Sequence, residues 1–145
     1  MLASNVGGML HPWRLLRERD DLTLRVRDLG DDGPLGLTDG STITLTTGLL
    51  QVERRCVLMH ELVHIERGLP HGDDPAEEAS VENEVARRLV PLDILVEALR
   101  WSIDVHEVAD ACWVMPHLIQ MRVQRLHPAE RAVVAEVLGQ HRGVA

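Results

Sequence analysis

The chain contains no lysine, phenylalanine or tyrosine, so all 15 basic residues are arginines and no tyrosine hydroxyl can assist an active site. It has only two cysteines, Cys56 and Cys112, and no apolar run long enough to span a membrane. No secretory signal precedes the first predicted helix. These absences predict a cytoplasmic protein without a membrane segment, in which both cysteines are buried thiols.

The 145 residues carry a formal net charge of −8. Because nucleic-acid phosphates are bound by clustered basic side chains, this acidic balance argues against a nucleic-acid partner. A chain of this length can bury the core of one domain. Within that domain we expect a disordered leader at residues 1–8, a core at residues 9–91 and a helical part at residues 92–145.

Three segments before residue 50 have strand patterns, and they follow a short helix predicted over residues 12–20. Residues 22–26 alternate, residues 35–37 form a short apolar run, and residues 42–46 are rich in β-branched side chains. A hairpin signal, Asp39-Gly40, joins the last two. The patterns predict a short, largely antiparallel sheet. Its last strand is expected either as an exposed edge that can bind an extended peptide, or as an ordinary half-solvated strand.

The pattern HExxH occupies residues 60–64, within a segment at residues 51–67 whose apolar residues predict a helix. Residues four apart lie on one helix face, so His60 and His64 can share one metal ion. Glu61 is turned about 100° around the axis, where its carboxylate can act as a general base on a metal-bound water. The pattern predicts a zinc site and metal-assisted peptide hydrolysis.

Catalytic zinc usually has three protein ligands, so HExxH needs a third side chain. The next helix, predicted over residues 75–90, has Glu78 and Glu82 on its apolar stripe. Burying an unpaired carboxylate there is costly, which indicates a cation nearby. We expect Glu78 as the third ligand. Glu82 is the alternative ligand or the acceptor of a ring N–H from a ligating histidine, and His71 is a further alternative.

The C-terminal part is predicted to be helical. The expected helices cover residues 92–101, 104–112 and 116–126, and a last one begins at residue 127 and ends at Gly139. The second and third of these resemble a helix-turn-helix. Because Arg122 and Arg125 are the only charged residues on the third helix, packing or substrate docking is favoured over DNA recognition.

HELVH, a downstream acidic helix that ends in Leu-Val-Pro, and the helix-turn-helix-like tail together resemble the ImmA/IrrE family of metallo-endopeptidases. The resemblance covers about residues 12–126. The later motif of that family is similar to E-x-x-A-N-x-F-A, followed after two residues by L-L-x-P. Counting back from Pro91 aligns its metal-binding glutamate with Glu78, while Glu84 stands at the position of the motif's Phe.

The resemblance implies a zincin-like α+β fold in which the sheet packs on the HExxH helix of a metallopeptidase core at residues 9–91. It also implies a regulatory zinc protease of bacteria or phages that cleaves a protein such as a helix-turn-helix repressor. The alternative is a metal-containing module that captures such a regulator with little or no turnover. The group that stabilises the oxyanion is unassigned, and the candidates are His71, His106, His117 and His127.

Overall fold

The computed structural model describes residues 5–6, 9–68 and 74–142, which form seven helices and five short strands. The strands are β1 (Asn5–Val6), β2 (Met9–Leu10), β3 (Thr23–Arg27), β4 (Gly36–Thr38) and β5 (Thr42–Thr46). The helices are α1 (Pro12–Arg17), α2 (Gln51–Arg67), α3 (Pro75–Leu89), α4 (Leu92–Trp101), α5 (Val105–Cys112), α6 (Pro116–Gln124) and α7 (Pro128–Arg142). The predicted α+β class is confirmed.

The N-terminal residues were predicted to be a disordered leader over residues 1–8. Only β1 within that range belongs to the described residues, and it pairs antiparallel with β2. The other six positions lie outside the described part of the chain. None of the described helices is both long and apolar enough to cross a membrane.

The main sheet has the strand order β3-β5-β4 and is mixed, so the prediction of a largely antiparallel sheet was wrong. The hairpin signal at Asp39-Gly40 does join the antiparallel pair β4 and β5, but β3 pairs with β5 in parallel over five residues. Of the two alternatives for the last strand, the exposed edge was wrong, because β5 lies in the centre of the sheet. Strand patterns reveal which residues are extended, whereas pairing order depends on how the connections cross the sheet.

Helix α2 is buried on two opposite sides. Val57, Leu58 and Leu62 pack with the sheet residues Ile43 and Leu45 in one apolar cluster. The other side belongs to a larger cluster of helical residues, including Met59, Val63, Val81, Val85, Leu89, Leu95, Leu118 and Ile119. The helix bounds match the predicted segment, and Gly68 ends the helix in the left-handed conformation at a φ of 72°.

Helices α3, α4 and α6 begin at the predicted residues, and α5 and α7 begin one residue after the predicted start. Asp74 caps α3 by accepting a hydrogen bond from the backbone N–H of Ala76, and Asp104 caps α5 in the same way. Two predicted ends were wrong: α1 ends at Arg17, and α7 continues through Gly139 to Arg142. A single glycine costs an exposed helix only about 1 kcal/mol, so it does not have to end one.

Arg122 of α6 is buried, which removes one of the two basic groups that a DNA-reading helix would need. Its Nε donates to the carbonyl oxygen of Val90 at 2.7 Å, and Nη2 donates to Glu130 Oε2 at 2.9 Å. Arg87 donates to both oxygens of Glu130, each at 3.0 Å. Arg122 therefore joins three helices from within the core and offers no charge to a phosphate.

Arg55 of α2 forms a hydrogen bond to the turn between α5 and α6. Its side chain is buried, and Nη1 donates to the carbonyl oxygen of Trp113, the residue that ends α5. The guanidinium carbon also lies 5.3 Å from the centre of the Trp113 ring. Trp113 has a φ of 57°, which is rare for a residue with a side chain. Arg55 therefore helps to hold an unfavourable turn conformation in place.

The closeness of β4 to α2 depends on a glycine. A Cβ atom at Gly36 would lie 2.5 Å from Val57 Cγ1 and 3.3 Å from the Thr44 carbonyl oxygen. We expect Gly36→Ala to lower the free energy of unfolding by about 1–3 kcal/mol, because neither atom can move away freely. Urea unfolding followed by circular dichroism measures the change.

Gly139 provides the matched control, because nothing lies within 4 Å of a Cβ atom there. Gly139→Ala should stabilise the protein by about 0.5–1 kcal/mol, as expected for an exposed helical glycine. Adding Val57→Ala to Gly36→Ala should cancel part of its cost. Equal effects of the two glycine substitutions would contradict the tight packing of β4 on α2.

Glu130 should make stability depend on pH in the acid range. Hydrogen bonds from Arg122 and Arg87 hold the pKa of its carboxyl well below the usual value, despite the opposing effect of burial. Its contribution is therefore complete above the unfolded-state pKa of about 4.3 and is lost as pH falls from there towards the folded-state pKa. We expect Glu130→Gln to cost about 3 kcal/mol at pH 7 and clearly less at pH 3. Urea unfolding at both pH values measures this, with the exposed Glu136→Gln on the same helix as control.

Candidate metal centre

His60 and His64 of α2 and Glu78 of α3 converge at one point. Glu78 Oε1 lies 3.0 Å from His60 Nε2, and Glu78 Oε2 lies 2.7 Å from His64 Nε2. One ligand atom from each residue lies within 4.8 Å of the others. The two histidines share a helix face because they are four residues apart, and the Asp74 cap starts α3 one turn before Glu78.

The three side chains are close enough to share a zinc ion. Two zinc–ligand bonds of about 2.0–2.1 Å at a tetrahedral angle hold their donor atoms about 3.3 Å apart. Glu78 contacts the two histidines through different oxygens, Oε1 at 3.0 Å from His60 Nε2 and Oε2 at 2.7 Å from His64 Nε2, and both distances are slightly shorter than this separation. Two imidazoles and one carboxylate also form the protein donor set of known catalytic zinc sites.

Glu82, one helical turn after Glu78, contacts the opposite nitrogen of the His60 ring. Its Oε1 lies 2.7 Å from His60 Nδ1, and its Oε2 lies 2.6 Å from His117 Nε2. Burial raises the pKa of Glu82, but the hydrogen bonds from His117 and His60 outweigh that effect and hold the pKa at about 2. Glu82 thus has the position expected for an acceptor of the ring N–H, on the side of the ring away from Glu78.

This arrangement requires a positive charge between His60 and Glu78. A neutral His60 that donates Nδ1–H to Glu82 has only a lone pair at Nε2, and that lone pair faces the carboxylate of Glu78. Either a proton or a metal ion must lie between them. Burial lowers the pKa of His60, but the carboxylates of Glu82, Glu61 and Glu78 outweigh this effect and raise it, so a positive charge is favoured here.

Glu61 lies beside the cluster and is almost completely enclosed, with 1 % of its surface exposed. Burial is the main cause that raises the pKa of its carboxyl to about 7, against the opposing effect of His60. A carboxyl with such a pKa can change its protonation state near neutral pH. It is therefore suited to accept and return a proton.

A cavity of about 340 Å³ opens onto these residues. Its polar lining consists of His60, Glu61, Glu78, Glu82 and His117, and its apolar lining includes Leu35, Val57, Ala79 and Met115. The lining includes the start of β4, which is an edge strand, and the start of α6. The cavity is therefore mainly apolar, with the candidate metal ligands and Glu61 on its wall.

The other candidates from the sequence have different surroundings. His71 lies outside the described residues. His106 and His127 are exposed and do not line the cavity, whereas His117 does. Cys56 and Cys112 are buried, as predicted, and burial raises the pKa of each thiol to about 11. No sequence pattern distinguished His117 from the other three histidines.

Comparisons of the chain with family models, with curated proteins and with solved structures gave no match.

The metal centre can be tested by measuring zinc content. We expect about one zinc per chain after dialysis against buffered zinc at pH 7, and loss of that zinc in Glu78→Ala. Glu82→Ala should still bind zinc, with an affinity about 10- to 100-fold lower because His60 is no longer oriented. Elemental analysis and competition with a chelating dye give both quantities.

Glu77→Ala is the matched control, since it removes the neighbouring carboxylate on the same helix turn. It should bind zinc like the wild type. A wild-type protein that binds no zinc at neutral pH would contradict the metal centre. If Glu82→Ala loses zinc and Glu78→Ala keeps it, Glu82 is the third ligand and Glu78 is not.

Proposed function

We propose that this protein is a zinc-dependent endopeptidase. The observation that carries the proposal is the convergence of His60, His64 and Glu78 beside the buried carboxyl of Glu61. The set of three ligands or the buried carboxyl, each by itself, also occurs in proteins that bind a metal for a structural purpose. A general base next to a set of three ligands that leaves a coordination position open is the arrangement of a hydrolytic site.

His60, His64 and Glu78 would hold the ion, and Glu82 would fix the His60 ring so that Nε2 faces it. When bound, zinc supplies Lewis-acid chemistry, polarising a carbonyl group and acidifying a water molecule. Glu61 removes a proton from the water that attacks the peptide carbon and returns it to the leaving amine nitrogen. A nearby cation favours the carboxylate form of Glu61, which is the form a base requires.

The surroundings of the cavity favour an extended peptide as substrate. Among the described strands, β4 pairs with β5 alone, so its other edge can accept a strand from a substrate. Leu35 and Met115 line the cavity and provide apolar surface for side chains of that strand. A polypeptide that adds to β4 would therefore pass over Glu61 with its backbone held by hydrogen bonds.

The HELVH sequence, the acidic helix after it and the two short helices α5 and α6 support membership of the ImmA/IrrE family. A zincin-like arrangement is supported by the sheet on one side of α2 and by α3 on the other. By resemblance, the substrate would be a regulatory protein such as a helix-turn-helix repressor. The buried Arg122 and the net charge of −8 disfavour a nucleic-acid partner.

Glu61→Gln tests the hydrolytic role. The substitution keeps the size of the side chain but removes the base, so we expect at least a 100-fold loss of cleavage with unchanged zinc content. Zinc-loaded wild type and variant are incubated with a proteome-derived peptide library, and mass spectrometry counts new termini. The exposed Glu136→Gln on α7 should cleave like the wild type.

The same cleavage assay, combined with co-purification of protein partners by the wild type and by Glu61→Gln, separates the competing function, a metal-containing module that captures a regulatory protein. For an endopeptidase, the wild type produces new termini and Glu61→Gln does not. If the zinc-loaded wild type produces none, and both proteins retain the same protein partner, the binding module replaces the endopeptidase.

A further inference from the structure

We propose that Arg67 and Glu84 are positioning residues of the candidate metal centre. Their ion pair holds the rotation of α3 about its own axis, and thereby keeps Glu78 within reach of a metal ion shared with α2. The proposal rests on the metal centre of the proposed function and adds two residues to it. Neither of the two is a ligand, because both act through the helix that carries Glu78.

An ion-pair network connects α2 with α3 outside the metal centre, and its four members are Glu66, Arg67, Glu84 and Arg88. Arg67, the last residue of α2, donates to Glu84 Oε1 through Nη2 at 2.6 Å and through Nε at 3.2 Å. Its Nη1 donates to Ser80 Oγ at 2.9 Å. Arg88 donates to both oxygens of Glu66, at 2.8 and 2.9 Å, and to Glu84 Oε2. Both oxygens of Glu84 are therefore bound, and the network is continuous.

On α3, the network and the metal centre lie on opposite flanks of the buried stripe. That stripe consists of three residues without exposed surface, Val81, Val85 and Leu89. Each of them directly follows a residue that belongs to the network or contacts it, namely Ser80, Glu84 and Arg88. One position is about 100° around a helix, so this row lies to one side of the stripe. Glu78 and Glu82 precede the stripe residues by three positions, which places them about 60° to its other side.

The rotation of α3 matters because a small change moves Glu78 out of range of the metal. Side-chain ends lie about 5–6 Å from a helix axis, so a rotation of about 10° moves them by about 1 Å. Metal–ligand distances vary by only about 0.2 Å. Apolar contacts have no preferred direction, whereas charged hydrogen bonds do. Hydrogen bonds on both flanks of the stripe therefore restrict the rotation more closely than the stripe alone.

The network is stronger than an isolated surface pair, because its central members are partly shielded from water. The side chains of Glu84 and Arg88 are 31 and 21 % exposed, compared with 62 and 56 % for the pair Glu97 and Arg100 on α4. Burial raises the pKa of Glu84, but Arg67 and Arg88 outweigh this effect and lower it. Several charges that are joined in a network contribute where single exposed pairs contribute little.

Zinc affinity, measured by competition with a chelating dye, tests the proposal without requiring turnover. We expect Glu84→Gln and Arg67→Gln each to weaken zinc binding about 3- to 10-fold, because zinc binds the fraction of molecules in which α3 has the correct rotation. The double variant should bind zinc about as well as the weaker single variant, since both substitutions break the same contact. With Co²⁺ in place of zinc, the visible absorption should differ from that of the wild type, because it reports the coordination geometry.

The signs of the two changes distinguish positioning from a general charge effect. Glu84→Gln removes a negative charge and makes the protein less attractive to a cation, whereas Arg67→Gln removes a positive charge and makes it more attractive. A charge effect therefore predicts opposite changes in zinc affinity, and loss of positioning predicts that both variants bind more weakly. Glu97→Gln, which breaks the exposed pair on α4, is the matched control and should bind zinc like the wild type.

Val134→Ala separates positioning from stability. Val134 is buried in α7, a helix that contributes no residue to the described lining of the cavity. Removing its methyl groups leaves a gap in the large helical cluster, so the variant should unfold at a lower urea concentration than the wild type. Its zinc affinity and its Co²⁺ absorption should nevertheless be those of the wild type.

The outcomes distinguish this proposal from the proposed function. If the wild type binds zinc and either Glu84→Gln or Arg67→Gln binds it at least as tightly, the positioning role is overturned while the metal centre stands. The same holds if Val134→Ala weakens zinc binding as much as they do, because the effect then follows stability. If the wild type binds no zinc, the metal centre and the endopeptidase are overturned, and this role falls with them. Weaker zinc binding by both variants, with altered Co²⁺ absorption and an unaffected Val134→Ala, supports the proposal.

Discussion

The contact between the histidines of α2 and the carboxylates of α3 is the interaction on which the rest of the structure depends. Helix α2 is enclosed by apolar residues on two sides, yet it brings His60, Glu61 and His64 into the interior. Buried polar groups are costly unless they are paired. Glu78 and Glu82 supply that pairing, and because they are four residues apart they fix both the rotation and the height of α3 against α2.

Features that are encoded within a few neighbouring residues could be predicted from the sequence. The bounds of α2 and β5 and the starts of α3 and α6 follow from local apolar patterns, from Asp74 and from the two prolines at residues 75 and 116. The strand order could not be predicted in this way. Placing β5 between β3 and β4 depends on connections and packing across the sheet, and a period-two pattern is the same in either arrangement.

The same distinction applies to the site. Glu78 could be predicted, because a carboxylate on the apolar stripe of the next helix requires a cation and the histidines supply a place for one. The contact between Glu82 and His117 could not, because it joins residues 35 positions apart and depends on the turn at Trp113. That turn is held by Arg55, which has no local signal that it would be buried. The zinc-binding and catalytic roles of these residues remain proposals.

Two parts of the cavity lining are connected to different apolar clusters. Gly36 at the start of β4 pairs with Leu45, which belongs to the cluster between the sheet and α2, whereas α6 is anchored by Leu118 and Ile119 in the cluster formed by the helices. Helix α2 contributes residues to both clusters. The width of the cavity therefore depends on the size of the side chains packed on each side of α2. Substitutions deep in either cluster could change which side chains are accepted, and so alter selectivity in evolution without altering any residue that a substrate touches.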